Sequence, residues 1–198
     1  SNGFKGTYRR SGHSLSAVVL AGEGQNMERD YEYSSTVFEA DLTNPKTVGQ
    51  IAGERAVRRL NPQKPGSASI PVIYDPRVSG SLVGHVASAL NGSSIARGTS
   101  FLKDAMGKQI FQSGVRILDD PHRARGLRSK PFDGEGLPNQ KYAIIDDGYV
   151  KSWFLDLATA DQLGLVSTGH AARSPGGAPS PSPTNLYLSA GDISPENL

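Results

Sequence analysis

The chain has 198 residues, 36% of them hydrophobic and 20% charged, enough apolar content to build a packed core in one or two domains. A net charge of +2 is too small to argue by itself for a nucleic acid or an anionic membrane, and no run nears the ~20 apolar residues that span a bilayer. The chain holds no cysteine, which excludes disulfides and thiolate metal sites, and its start lacks the apolar stretch of a signal peptide, so a cytoplasmic location is expected.

With 23 glycines and 13 prolines the chain is cut into short elements, which predicts a loop-rich α+β fold. From Phe4 to Glu39 the segments "FKGTYRR", "HSLSAVVLAG" and "MERDYEYSSTVF" alternate apolar with polar residues, and Gly12, Gly22 and Gly24 mark turns, so an antiparallel β-meander is expected. Next comes an amphipathic helix over 43–60, capped by Asn44, opened by Pro45 and ending with Arg55, Arg58 and Arg59 near its negative pole. "NPQKPGSAS" (61–69) reads as a linker, and a domain boundary is placed near Lys64: 1–64 as the end of an N-terminal α+β domain, 65–198 as a mostly β, loop-rich domain with a few short helices. In that second part "IPVIY" and "GVRILDD" read as strands, and "HRARGLRSKPFDGEGLPNQ" as a long loop. Asp147-Gly148 should close a two-residue hairpin between strands near 141–146 and 149–155. "DLATADQLG" has an Asp156 cap and a Gly164 stop, "GHAARSPGGAPSPSPTN" reads as irregular, and "LYLSAGD" as a last strand.

The helix predicted over 78–90 raises the question of catalysis, because it holds His85 in its middle. Val78, Leu82, Val83, Val86, Ala89 and Leu90 form an apolar stripe, with His85 at its edge, while Gly80, Gly84 and Ser88 recur every four residues as a small ridge on which another backbone can lie close. A lone histidine lacks the ligand count for zinc, so His85 is read as partly buried and hydrogen-bonded. "DDP" (119–121) and "DDG" (146–148) read as turn chemistry. "PFDGEG" differs: Asp133 and Glu135 stand on a glycine-flanked loop beside Arg123, Arg125, Arg128 and Lys130, where they either hold a charged chain end or pair with those cations at the surface. No Gly-x-Ser-x-Gly elbow and no phosphate loop appears.

Taken together, "PVIYDPRVSGSLVGHVASALNGSSIARGTSFLKDAMG", "DDP", "GLRSKPFDGEG", "DDGYVKSWFLDLATADQLG", "TGHA" and "SPSPTNLYLSAGD" resemble the TldD/PmbA family, and within it the PmbA (TldE) subunit type. The segments come in the family's order over nearly the whole chain. The resemblance implies a two-domain α+β subunit that joins a TldD-type partner in a metalloprotease acting on peptides, linked to maturation of a peptide antibiotic and historically named a modulator of DNA gyrase. It implies further that TldD subunits carry His-Glu-x-x-x-His on this helix, two histidines holding zinc and the glutamate activating water. Aligned on the Leu-x-Gly exit, those slots fall on Val83, Gly84 and Ser88, and His85 falls on a variable slot. The expected roles are therefore no catalytic residue, no metal and no cofactor in this chain, zinc in the TldD-type partner, and peptide or partner contacts at Asp133, Glu135, Arg128 and His85.

Relative to the family, most of the N-terminal region and the C-terminal end are expected to be missing; "SPEN" reads as a fresh helix start and Ser1-Asn2 as a cloning remnant. Exposed edges would then favour self-association in isolation. Two functions of different class remain: a non-catalytic subunit of a heterodimeric peptidase, or a stand-alone metal-free hydrolase or peptide-binding homodimer using the Asp133/Glu135 loop. A nucleic-acid module would rest on "HRARGLRSK" alone, without an aromatic stacking platform, and neither a nucleic acid nor a membrane is expected as partner.

Overall fold

The computed structural model describes residues 3–194. Arg9–Pro71 form one compact unit, and the described residues on either side of it form a second. Among the described residues no helix is long and apolar enough to cross a membrane. The expected helix start at "SPEN" runs past the described residues, and Ser1-Asn2 lies outside them.

In the first unit, strands β1 (His13–Ala21) and β2 (Glu28–Thr36) pair antiparallel from His13 opposite Thr36 to Ala21 opposite Glu28. Helix α1 (Pro45–Arg58) packs on them, burying Val48, Ala52 and Ala56 at four-residue spacing. Asn44 accepts the Lys46 amide at 2.9 Å, the N-cap that the sequence predicts. Inward-facing polar groups are tied to this helix: Arg55 pairs with Glu32, and Arg59 reaches the buried Asp30 at 3.2 Å. The expected meander is a two-stranded hairpin instead. "FKGTYRR" forms no strand, and its aromatic residues Phe4 and Tyr8, which belong to the second unit, pack edge-on against Phe132.

The second unit is built on a four-stranded antiparallel sheet in the order β5-β4-β3-β8, from β3 (Ile117–Asp119), β4 (Tyr142–Asp146), β5 (Tyr149–Val150) and β8 (Leu186–Leu188). Helix α2 (Pro76–Ala89) contributes Ala87 to a core that includes Ile117, Ile144, Ile145, Val150 and Phe154. Burying a side chain such as Phe154, which is fully enclosed, contributes roughly 1.5–3 kcal/mol. The short helix α3 (Gly92–Ala96) follows α2, and α4 (Leu157–Gln162) starts at a capping box in which Asp156 and Thr159 bond each other's backbone amides.

The Asp147-Gly148 hairpin forms as predicted, with φ of 49° and 79° at its two central residues and Asp146 opposite Tyr149. Its second strand ends at Val150 rather than 155, because the chain turns to bond the end of α2: Phe154 N–H donates to Leu90 O at 3.1 Å, and Gly92 N–H to Phe154 O at 2.9 Å.

Three other expectations are corrected. "IPVIY" forms no strand; Pro71 removes an amide donor, and Ile70, Val72 and Ile73 stand exposed. The "irregular" stretch contains the paired strands β6 (Ala171–Ala172) and β7 (Ser180–Pro181), which three bonds to the 130–136 loop hold in a way their composition does not suggest: Gly134 N–H and Lys130 Nζ donate to Ala171 O, and Ala171 N–H donates to Asp133 Oδ2. The apolar stripe of α2 reaches the core only from Val83 onward, through Val83, Val86, Ala87 and Leu90, while Val78 and Leu82 are exposed.

Candidate functional site

The loop "SKPFDGEG" is organised by Asp133, whose carboxylate is buried. Its Oδ1 accepts the amides of Glu135 at 2.9 Å and Leu137 at 2.8 Å, and its Oδ2 accepts that of Ala171 at 3.2 Å. A carboxylate carrying three N–H donors closes the loop and fastens it to β6. Gly134 completes the fastening: its N–H donates to Ala171 O at 2.8 Å, and a Cβ there would sit 3.1 Å from Arg173 N and 3.2 Å from Ala171 O, closer than a side chain packs comfortably.

Glu135 reaches the other way. Its Oε2 accepts the Leu157 amide at 2.9 Å, adding a negative charge to the N-terminus of α4 beside the Asp156 cap. Desolvation raises its pKa, the Leu157 amide opposes that shift, and the negative charges of Asp156 and Asp133 reinforce it. The surface reading of the loop, with both acids paired to Arg125, Arg128 or Lys130 in solvent, is therefore wrong for Asp133, whose oxygens are taken by backbone amides.

Lys130 enters the same place from the other end of the loop. Asn139 holds its carbonyl at 3.1 Å, and its Nζ donates to Ala171 O at 2.9 Å. The ammonium is half-buried, and burial lowers its pKa against the opposing pull of Asp133 and Asp119. Together with Tyr8, Phe132, Asp133 and Arg173 it lines a cleft of about 560 Å³. A neighbouring cleft of about 720 Å³, lined by Phe4, Leu157 and Pro179 among others, shares Phe132, Asp133, Gly134 and Arg173 with it.

Behind the loop lies a buried polar cluster. His170 Nε2 stands 3.2 Å from Asp119 Oδ2, and its Nδ1 stands 2.7 Å from the Thr168 hydroxyl. Asp119 also accepts the Thr184 amide at 2.8 Å and the Thr184 hydroxyl at 2.6 Å. The pair is 2% and 0% exposed at the side chains, and Phe154 packs edge-on to the imidazole with ring centroids 5.0 Å apart. With the polar atoms of Asp119 and His170 all partnered and both side chains enclosed, this cluster joins β3 to the segments before β6 and β8 as a structural tie. The "DDP" turn chemistry thus hides a core carboxylate, which a separation of 51 residues from His170 kept out of sight.

The structure does not bring the four expected contact residues together. Asp133 and Glu135 share the loop. Arg128 is exposed and faces away along 183–185, its amide donating to Asn185 Oδ1 at 2.9 Å. His85 is exposed rather than partly buried, carries no hydrogen bond among the described residues, and lines a separate, largely apolar cleft of about 720 Å³ with Phe101 and Phe111. Sequence reading missed Arg173 altogether and saw Lys130 only as a neighbour of the acids; the two line one cleft although 43 residues apart, and the two-residue strand β6 that precedes Arg173 has no signature in the sequence.

Helix α2 does not fit a zinc ion. Val83 and Gly84 offer no side-chain donor, and the Ser88 hydroxyl donates to Gly84 O at 3.0 Å. Among the described residues no group of three or more His, Cys, Asp or Glu comes together as a metal cluster. A Cβ at Gly80 or Gly84 would meet nothing within 4 Å, so among the described residues no backbone lies against these two positions of the small ridge.

Comparison with known proteins places these features in a family. The family model for the PmbA/TldA metallopeptidase central domain matches residues 1–60, and that for the PmbA/TldA metallopeptidase C-terminal domain matches residues 67–198. The chain is 41% identical over 171 residues to the "Metalloprotease PmbA" of Escherichia coli O157:H7, covering 86% of this chain and 38% of that protein. A PmbA homologue from Haemophilus influenzae is 37% identical over the same share of each. Among solved structures, a Bacteroides thetaiotaomicron protein labelled as a modulator of DNA gyrase superposes with a TM-score of 0.86 at 30% identity, over 99% of this chain and 42% of that one. The fold is also that of TldE from Thermococcus kodakarensis, with a TM-score of 0.68 at 20% identity over 93% of this chain and 42% of that one. The chain spans about 38% of the length of the curated relatives it matches. It belongs to the PmbA/TldD metallopeptidase family.

Proposed function

We propose that this chain is part of a non-catalytic, TldE-type subunit of a heterodimeric metalloprotease, which handles small or unfolded peptides while a TldD-type partner supplies zinc and the water-activating glutamate. The observation that carries the reading is the chemistry of one well-formed helix: at the slots where a catalytic subunit needs two imidazoles and a carboxylate, α2 has Val83, Gly84 and Ser88. The stand-alone hydrolase finds less support. Asp133 is the carboxylate it would need as base, and its oxygens are committed to three amides. Neither nucleic acid nor membrane is part of the proposal, and the proposed location is the cytoplasm. In isolation the chain is expected to self-associate.

Co-expression with a TldD-type protein tests it. The expected result is a stoichiometric complex that retains zinc through purification, with the metal lost when the histidines of the partner's motif are replaced. Failure to associate, or stoichiometric zinc in this subunit alone, would overturn it.

A further inference from the structure

The two clefts over the "SKPFDGEG" loop carry a chemistry that a scaffold does not need. Lys130 places a half-buried ammonium in the cleft lining, and among the described residues its one hydrogen bond goes to Ala171 O. Arg173 lines the same cleft and, among the described residues, only its Nε is engaged, donating to Gly177 O at 3.0 Å. Neither cation has a carboxylate within ion-pairing distance among the described residues, and the one acid in the lining, Asp133, has its oxygens occupied by backbone amides. Two cations against one committed carboxylate leave a net single positive charge, which suits a monoanion better than a phosphate. The wall beside them is aromatic: Phe132 receives Phe4 at 4.9 Å and Tyr8 at 5.5 Å, both edge-on, and lines both this cleft and its neighbour.

From this juxtaposition we propose that the loop cleft binds the C-terminal carboxylate of a peptide on Lys130 and Arg173, with the last apolar or aromatic side chain against Phe4, Tyr8 and Phe132. The site would anchor a chain end, and so would favour extended peptides over folded proteins, whose termini and last side chains are not both free. The inference deepens the peptide-handling reading above and rests on it, but its test needs no partner and no hydrolysis.

The experiment is a binding titration of the intact protein with short apolar peptides ending in Phe, as free acid and as C-terminal amide. A third peptide, an amide carrying an internal Glu, separates a terminal from a side-chain carboxylate. Binding of the acid at least tenfold tighter than either amide is expected, with that preference lost in Lys130→Met and Arg173→Ala. Rescue of the preference by Lys130→Arg, but not by Lys130→Met, separates charge recognition from packing. Equal binding of acid and amide by the unaltered protein overturns the proposal, as does equal binding of the internal-Glu amide, or displacement of the acid by a short oligonucleotide. Because these comparisons use the unaltered protein without a partner, their failure leaves complex formation untouched, and failure of complex formation leaves them readable.

Discussion

Helix α2 and the 130–136 loop invert what their sequences suggest. The helix has the length, the caps and the mid-helix histidine of a catalytic element, yet Val78 and Leu82 of its apolar stripe are exposed, a Cβ at Gly80 or Gly84 would meet nothing within 4 Å among the described residues, and His85 is exposed. The loop reads as charged and glycine-rich surface, yet it is held by Asp133 and Gly134 to β6, by Glu135 to α4, and backed by the buried Asp119–His170 pair. A helix is cheap to form from local signals and says little about chemistry until its slots are filled. A loop bound at both ends is a rigid platform on which charges can be placed.

The contrast can be broken most severely behind the loop. Asp119→Ala leaves His170 and two donors of Thr184 without their buried partner, and should cost about 3–5 kcal/mol in chemical denaturation. A loss under 1 kcal/mol would mean that the cluster does not hold the platform. Next in size, Asp133→Ala strips the acceptor from three amides and should cost roughly 2–4 kcal/mol, with raised hydrogen exchange at Glu135, Leu137 and Ala171. The reading of the loop as a solvated ion-pair surface predicts no change in either measurement.

On the helix the sign reverses. A Cβ at Gly84 meets nothing within 4 Å, so Gly84→Ala should stabilise the protein by up to about 1 kcal/mol through helix propensity. Destabilisation would reveal a backbone lying on the ridge. The smallest effect concerns Glu135. A carboxyl whose pKa is raised in the folded state binds its proton more tightly there, so its contribution to stability falls as pH climbs from the ordinary value of 4.5 through the folded value. The stability of Glu135→Gln relative to the parent should therefore rise across that interval and level off above it; a flat difference would contradict the desolvation assigned to this group.

Local signals explain what was legible. Asn44-Pro45, Asp147-Gly148 and the Asp156 cap each carry their geometry in adjacent residues and were legible, whereas the Thr159 side chain that completes a capping box with Asp156 was not read. The segments "FKGTYRR" and "IPVIY" have strand composition, but strand formation needs a neighbour. The first gives its aromatics to Phe132, and the second contains a proline and finds no partner strand. The site was half visible. Asp133 and Glu135 could be picked from their glycine-flanked setting, whereas their partners Ala171 and Leu157 lie 38 and 22 residues away, and Arg173 is just as distant, where one chain's pattern is silent.

The proposed function puts the chemistry in a partner and leaves peptide handling to the protein that contains this chain. The direct measurement is peptidase activity on an unfolded peptide for the full-length protein alone, for a TldD-type partner alone, and for the mixture, with the mixture repeated after replacing the partner's motif glutamate by Gln. The account predicts no turnover by this subunit alone, turnover by the mixture, and loss of that turnover in the Gln variant. Hydrolysis by this subunit alone, or activity in the mixture that survives the Gln replacement, would contradict it.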